Sequence, residues 1–229
     1  MESSTLIGRL YIVSEWIVRF TLSNILWILF NLPIAYLAFN SIVINTPEQL
    51  IVNFVIIALL SPFLFFPSTT ALFAVVRKWI IGELDISLIK SFIKFYKENY
   101  KKSMFGGMIF VPLWGILLFD YYYFSTLNSP LLYVFLLVSM FMLVFTTNFF
   151  CNLVHYHLSF LYVLKNSFLL SVGKPLQTIG ITLGFIILVY VSFNLFSPLI
   201  LLGLGSLIAF LSFYLYYKGV EQEQVHEDS

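Results

Sequence analysis

The sequence predicts an all-α fold, a polytopic transmembrane helical bundle of about six spans with amphipathic helices at the cytoplasmic interface. Three observations predict it. Of 229 residues, 60% are hydrophobic and 10% are charged, against about 25% charged in a soluble domain, so the chain needs lipid as its solvent. The apolar residues form long runs punctuated by Pro, Asn and Gly. The charges avoid those runs, and the 12 basic residues gather in alternate connections between them. A net charge of +1 gives no reason to expect nucleic acid as a partner. The single cysteine, Cys151, excludes an internal disulfide.

At the N-terminus, Leu6, Leu10, Val13, Ile17 and Phe20 recur at helical spacing. Glu15 and Arg19 stand i, i+4, and Trp16 suits a headgroup zone. Residues 5–19 are either an interfacial helix or a cytosolic extension of the first span. That span covers 20–44, with a kink expected at Pro33. The run from Thr21 to Pro47 outlasts a signal-peptide core and lacks a small-x-small cleavage site, so it is read as retained. A turn at Asn45–Glu48 leads to span two, 50–66, which meets Pro62 and Pro67. Two prolines so close exclude a straight helix. Ser68 is then a good N-cap for a new helix over 69–81, stopped by Gly82.

Residues 87–102 carry Lys90, Lys94, Lys97 and Lys101 on one side and Leu88, Ile89, Phe92, Ile93 and Tyr96 on the other. As a crossing, each central lysine costs roughly 2.5–3.5 kcal/mol, and with Lys102 the total is on the order of 12–17 kcal/mol. The segment is expected to lie on the membrane surface, its lysines towards headgroups or a cytosolic partner. Span three covers 104–124, with Gly106 and Gly107 as close-packing positions and Asp120 and Tyr121–Tyr123 near its far end. A turn at Asn128-Ser129-Pro130 leads to span four, 130–152. Residues 153–174 make a further interfacial helix, with His155, Ser159, Tyr162 and Asn166 as a polar stripe. Residues 175–217 hold no charge. As one helix they would be about 65 Å long, twice a ~30 Å hydrocarbon core. Asn194 to Pro198 divides them into spans five, 176–196, and six, 198–217. Gly180 and Gly184 offer a small-xxx-small packing face. Residues 1–217 are thus one transmembrane domain, and 218–229 a polar, disordered cytoplasmic tail.

The turns expected outside, near 45–49, 125–130 and 197, contain no Lys or Arg. All 12 basic residues fall on the other side, which the positive-inside rule makes the cytoplasm. Both termini are therefore expected there, in the plasma membrane of a bacterium. An interfacial helix, a span, a turn and a second span recur over 5–66, 87–152 and 153–217, with 67–86 outside the pattern.

The sequence contains no phosphate-binding loop, no Gly-x-Gly-x-x-Gly and no His-Glu-x-x-His, so no catalytic residue and no cofactor is expected. Cys151, His155 and His157 do not share one helix face, and no metal is expected there. The polar candidates inside spans are Asn24, Asn31, Asn148 and Asn152; their ordinary role is to join helices, and a ligand role is the alternative. The other candidate segment is Pro67, Ser68, Thr69, Arg77, Lys78, Trp79, Gly82, Glu83 and Asp85. Amides at the start of its helix could receive an anionic or hydroxylated ligand, and Arg77-Lys78-Trp79 would fix its end at the cytoplasmic interface.

The stretch Pro67-Ser-Thr-Thr-Ala-Leu-Phe-Ala-Val-Val-Arg-Lys-Trp79, with Gly82-Glu83 and Asp85-Ile86, resembles the signature of YesL-like bacterial membrane proteins. Ser14-Glu-Trp-Ile-Val-Arg19, Asn24-Ile-Leu-Trp27 and Val154-His-Tyr-His157 leading to Lys174-Pro175 resemble it too. The resemblance implies a multi-spanning domain of unknown function whose genes often neighbour carbohydrate uptake or degradation systems. Expected partners are then the lipid bilayer and subunits of an ABC importer or a membrane sensor kinase. The expected function is a non-enzymatic accessory role in carbohydrate uptake or sensing. The alternative is a small-molecule transporter or facilitator acting through the bundle.

Overall fold

The computed structural model describes residues 2–127, 130–156 and 158–227, with side chains from Gly8 to Val220 apart from Arg9. Asn128 and Ser129 of the expected turn, and His157, lie outside the described residues. The elements are α1 (Glu2–Phe30), α2 (Leu32–Asn40), α3 (Pro47–Leu60), α4 (Phe65–Ile80), α5 (Leu88–Thr126), α6 (Leu131–His155), α7 (Phe160–Gly173), α8 (Pro175–Tyr190), α9 (Pro198–Leu202) and α10 (Leu204–Glu227). A π-helical turn, Val191–Leu195, follows α8. The all-α reading holds, and no strand occurs among the described residues.

At the centre stands α4. Every residue from Phe66 to Val76 is buried, and so is Trp79, because α1, α5, α6 and α10 pack round it. Its residues permit that closeness. Ser68, Thr70 and Ala71 are fully buried and small enough to let neighbouring backbones approach. The ring of Phe66 meets those of Phe110 and Phe150 at centroid distances of 6.1 and 5.3 Å.

Apolar length agrees with a membrane protein. Leu10–Phe30, Leu88–Thr126, Leu131–His155 and Pro175–Leu195 are each long and apolar enough to cross, and the bent pair α3–α4 makes a fifth. The expected sixth span, 198–217, is divided at Gly203 into α9 and α10, and its apolar part, Leu204–Val220, is shorter. Apolar side chains also cover the outside: Ile42 is 78% exposed and Leu176 84%. Surface of that kind belongs in lipid.

Several expected boundaries move, each for a local reason. No helix breaker separates 5–19 from 20–44, so α1 runs unbroken to Phe30, which is the extension and not a separate surface helix. The kink expected at Pro33 is a full break at Asn31, since proline is well tolerated in the first turn of the helix that restarts at Leu32. The helix expected from 69 begins at Phe65. Ser68 is therefore not its N-cap; the Ser68 hydroxyl donates back to Leu64 O at 2.7 Å. Pro62 and Pro67 do break the span, and α3 and α4 are bent by 52°.

The largest correction concerns 87–124. The basic segment and span three are one helix of 39 residues, about 58 Å long. The lysine run changes the solvent that the helix prefers without changing its backbone. Gly106 and Gly107 do not end it. A Cβ on Gly107 would stand 2.6 Å from Pro62 Cα, and one on Gly106 would overlap the Phe149 ring, so Gly107 admits the α3–α4 bend to the side of α5 and Gly106 admits α6. A basic half that continues the axis of a span is not free to lie flat on the bilayer independently of it. Residues 153–174 likewise do not form one surface helix: α6 extends to His155, and α7 starts at Phe160. Since α7 is separated from α8 while the first two units run straight into their spans, the three units are not built alike. Beyond 217, α10 continues through Glu227 where a disordered tail is expected.

Candidate functional site

Two discontinuous helices meet beside the start of α4. Asn31, at the α1–α2 break, donates from Nδ2 to Ser68 Oγ at 2.6 Å and to Trp27 O at 2.8 Å. Trp27 Nε1 donates to Thr69 Oγ1 at 3.0 Å. Asn31 is 4% exposed, and its Oδ1 has no partner. The alternative of an anion-binding helix start at Ser68 does not form. Pro67 has no N–H, Phe66 N donates to Ser61 O, and Ser68 N to Leu64 O, so the amides are absent or already used.

Further along α4, Arg77 and Lys78 occupy the last turn, where cations complement the helix dipole. Gly82 ends the helix at φ +89°. Glu83 N donates to Lys78 O at 2.9 Å and Gly82 N to Trp79 O at 3.1 Å, the bond pair of a Schellman cap. Lys78 pairs with Glu83 at 2.6 Å. The loop that follows is held by Arg19, whose Nη1 donates to Leu84 O at 2.7 Å while Nη2 pairs with Glu15. Glu83 and Asp85 are exposed. Trp79 is a core residue and not an interfacial anchor: it is 3% exposed and packs edge-on against Trp16 and Phe20.

The remaining asparagines join helices. Asn24 donates from Nδ2 to Ile200 O (3.1 Å) and Leu201 O (2.7 Å) and accepts at Oδ1 from Gly205 N (2.9 Å) and Ser206 N (3.3 Å). It thereby satisfies backbone groups released at the α9–α10 break. Asn152 accepts at Oδ1 from Asn166 Nδ2 (2.8 Å) and Tyr216 OH (2.9 Å). It donates to Asn148 O and Ser167 Oγ, both at 3.0 Å. Asn148 donates to Ser171 Oγ at 2.9 Å and accepts from Gln177 Nε2 at 3.0 Å. This node ties α6, α7, α8 and α10 together, and Asn166 belongs to it instead of to a surface stripe. On α5, Lys90, Lys94, Lys97 and Lys101 are all exposed, with Lys94 3.8 Å from Glu98.

Residues 20–121 match the family described as "Protein of unknown function, DUF624". Uncharacterized protein YesL of Bacillus subtilis (strain 168) is 26% identical over 218 residues, which is 93% of this chain and 91% of YesL. The chain is similar to YesL over nearly its whole length. Uncharacterized proteins YesV and YteU of the same organism are each 30% identical, over 142 and 119 residues, or 56% and 52% of this chain. The chain spans less than two thirds of their lengths, 64% of YesV and 42% of YteU. No solved structure matches. The likeness to YesL-like proteins read from the Pro67–Trp79 motif is thus supported over nearly the whole chain. The family segment contains the Asn31–Ser68 junction, Arg77 and the α5 lysines, and ends before the α6–α8 node.

Sequence reasoning missed Thr70 and Ser103, whose hydroxyls meet at 2.6 Å between α4 and α5. It also missed Asn53, buried on α3 and bonded to Leu37 O and Ser41 Oγ, and Gln177. Asn53 is a lone polar residue in an apolar run, and that isolation is the signal that could have found it; Thr70, Ser103 and Gln177 stand beside other polar residues and carry no such signal.

Proposed function

We propose that this is a multi-pass protein of the bacterial cytoplasmic membrane, with both termini in the cytoplasm, that acts as a non-enzymatic accessory component of a carbohydrate uptake or sensing system. It meets subunits of an ABC importer or a sensor kinase through the lysine face of α5 and the Gly82–Ser87 loop. One contrast carries the reading. The interior amides of Asn24, Asn148 and Asn152 are spent on joining helices, while Lys90, Lys94, Lys97, Lys101, Glu83 and Asp85 face outward. Charged groups exposed at the surface are the ones within reach of a partner. The carbohydrate context rests on the gene neighbourhood that YesL-like resemblance implies. Affinity purification of the full chain in mild detergent tests the proposal: permease, ATPase or kinase subunits are expected with the wild type and are lost with Lys94→Gln/Lys97→Gln. Recovery of none, under conditions that keep known membrane complexes intact, contradicts it.

A facilitator is the second reading. The observation favouring it is the orphan Asn31 Oδ1 at the meeting of two broken helices, since discontinuous helices frame substrate sites in transporters. Flux of candidate sugars into liposomes, lost in Asn31→Leu, supports it; flux no greater than in empty vesicles removes it.

A further inference from the structure

We propose that Arg77, together with His155, holds the phosphate of an anionic phospholipid. Arg77 pairs with no carboxylate among the described residues, and its Nε is buried without a hydrogen-bond partner. Three carboxylates of the basic segments are already engaged: Glu15 with Arg19, Glu83 with Lys78 and Glu98 with Lys94. His155, the last residue of α6, carries an Nδ1 that is likewise buried and unpaired. Two unmet groups, one of them a permanent cation, thus stand in the last turns of α4 and α6, helices that pack against each other and against α10. Buried polar groups are retained when something satisfies them, and a guanidinium is satisfied best by a two-oxygen anion.

The surroundings favour a lipid as the source. His155 is ringed by Phe213, Tyr216 and Tyr217, and Lys218 lies 4.8 Å over the Tyr214 ring. Tyrosines mixed with cations are the composition of a headgroup zone. The outer surface of α7 and α8, which pack against α6 and α10, carries exposed apolar side chains, with Leu161 74% and Leu176 84% exposed, so acyl chains have a place on the neighbouring helices. Trp79 Nε1 is also unpaired but sits on the other side of α4 with Trp16 and Phe20, and takes no part.

The test is native mass spectrometry and thermal unfolding of the full delipidated chain in detergent. Dioleoyl-phosphatidylglycerol, dioleoyl-phosphatidylcholine and inorganic phosphate are added separately. The wild type is expected to retain one phosphatidylglycerol per chain and to melt higher with it than with phosphatidylcholine. Arg77→Gln loses both effects. Should Arg77→Gln not fold, Arg77→Lys keeps the charge without the fork and binds about tenfold more weakly, as expected for losing one charge-assisted hydrogen bond. Phosphate alone reproducing the shift, again lost with Arg77, supports the phosphate site and reassigns its source to a soluble anion. Equal retention by wild type and both Arg77 variants overturns the proposal. So does retention abolished by Lys94→Gln/Lys97→Gln instead.

Discussion

The two halves of the bent span, α3 and α4, have opposite fates. In α3 the sequence Leu-Ile-Val-Asn-Phe-Val-Ile-Ile-Ala-Leu-Leu60 is almost wholly apolar, yet only Asn53 is buried. Its neighbour α4 carries Ser68, Thr69, Thr70, Arg77 and Lys78 and is buried nearly throughout. In water the greasier helix would go inside. Between helices in lipid the hydrophobic effect does not choose, because acyl chains are as apolar as leucine. What selects the interior helix is the ability to pack closely and to hydrogen-bond across. Trp27–Thr69, Asn31–Ser68 and Thr70–Ser103 are three such bonds from consecutive residues of α4. The bend at 61–64 permits the exchange of roles, since a straight helix would keep both halves on one line.

Truncation should separate the two halves most. Phe66→Ala, on the buried half, is expected to cost about 3–5 kcal/mol, whereas Phe54→Ala, 58% exposed on α3, should stay within about 0.5 kcal/mol. Denaturant unfolding in a fixed detergent reads both, and equal costs would erase the distinction. Hydrogen bonds come next. Asn152→Leu removes four bonds; at ~0.6 kcal/mol per bond in membrane interiors the loss is roughly 2–3 kcal/mol. The same unfolding assay checks it, and a neutral result would mean that packing alone holds α6 to α7 and α10. Gly82→Ala, at positive φ, should cost about 1 kcal/mol and loosen the end of α4; faster amide exchange confined to residues 78–86 is the expected signature. The smallest effect is Lys94→Gln/Lys97→Gln, within about 0.5 kcal/mol, while partner recovery falls. A large stability loss there would place the α5 lysines in the fold and not on a docking face.

Much of this was legible in the chain. Hydropathy and charge placement announce the all-α membrane bundle, and Pro62, Pro67, Gly82 and Pro198 lie at or beside real breaks. Gly180 and Gly184 do face Leu215 and Leu211 of α10. The places that misled are those where a change of solvent resembled a change of structure. Lys101-Lys102 next to Ser103 marks the limit of a polar surface, but no residue there resists a helix, so α5 continues. Ser68 has the residue type of a cap, yet Pro67 is tolerated within the first turn of a helix, and α4 could start earlier. Arg77, Lys78 and Trp79 read alike as interfacial residues, and only packing sends Trp79 inward. The candidate asparagines were visible as isolated polar residues. Their partners, such as Ile200, Ser171 and Tyr216, are far away in sequence, so whether each amide is used up or left over was not.

The exchange of roles between α3 and α4 can be tested on the native chain in bilayers with a lipid-soluble diazirine, activated by light and mapped by peptide mass spectrometry. Ile51, Val52, Phe54 and Val55, all more than half exposed, are predicted to take the label. Phe66–Val76 are predicted to stay unlabelled until the protein is unfolded. Labelling of α4 in the folded protein to the same extent as α3 would contradict a buried polar axis surrounded by apolar helices.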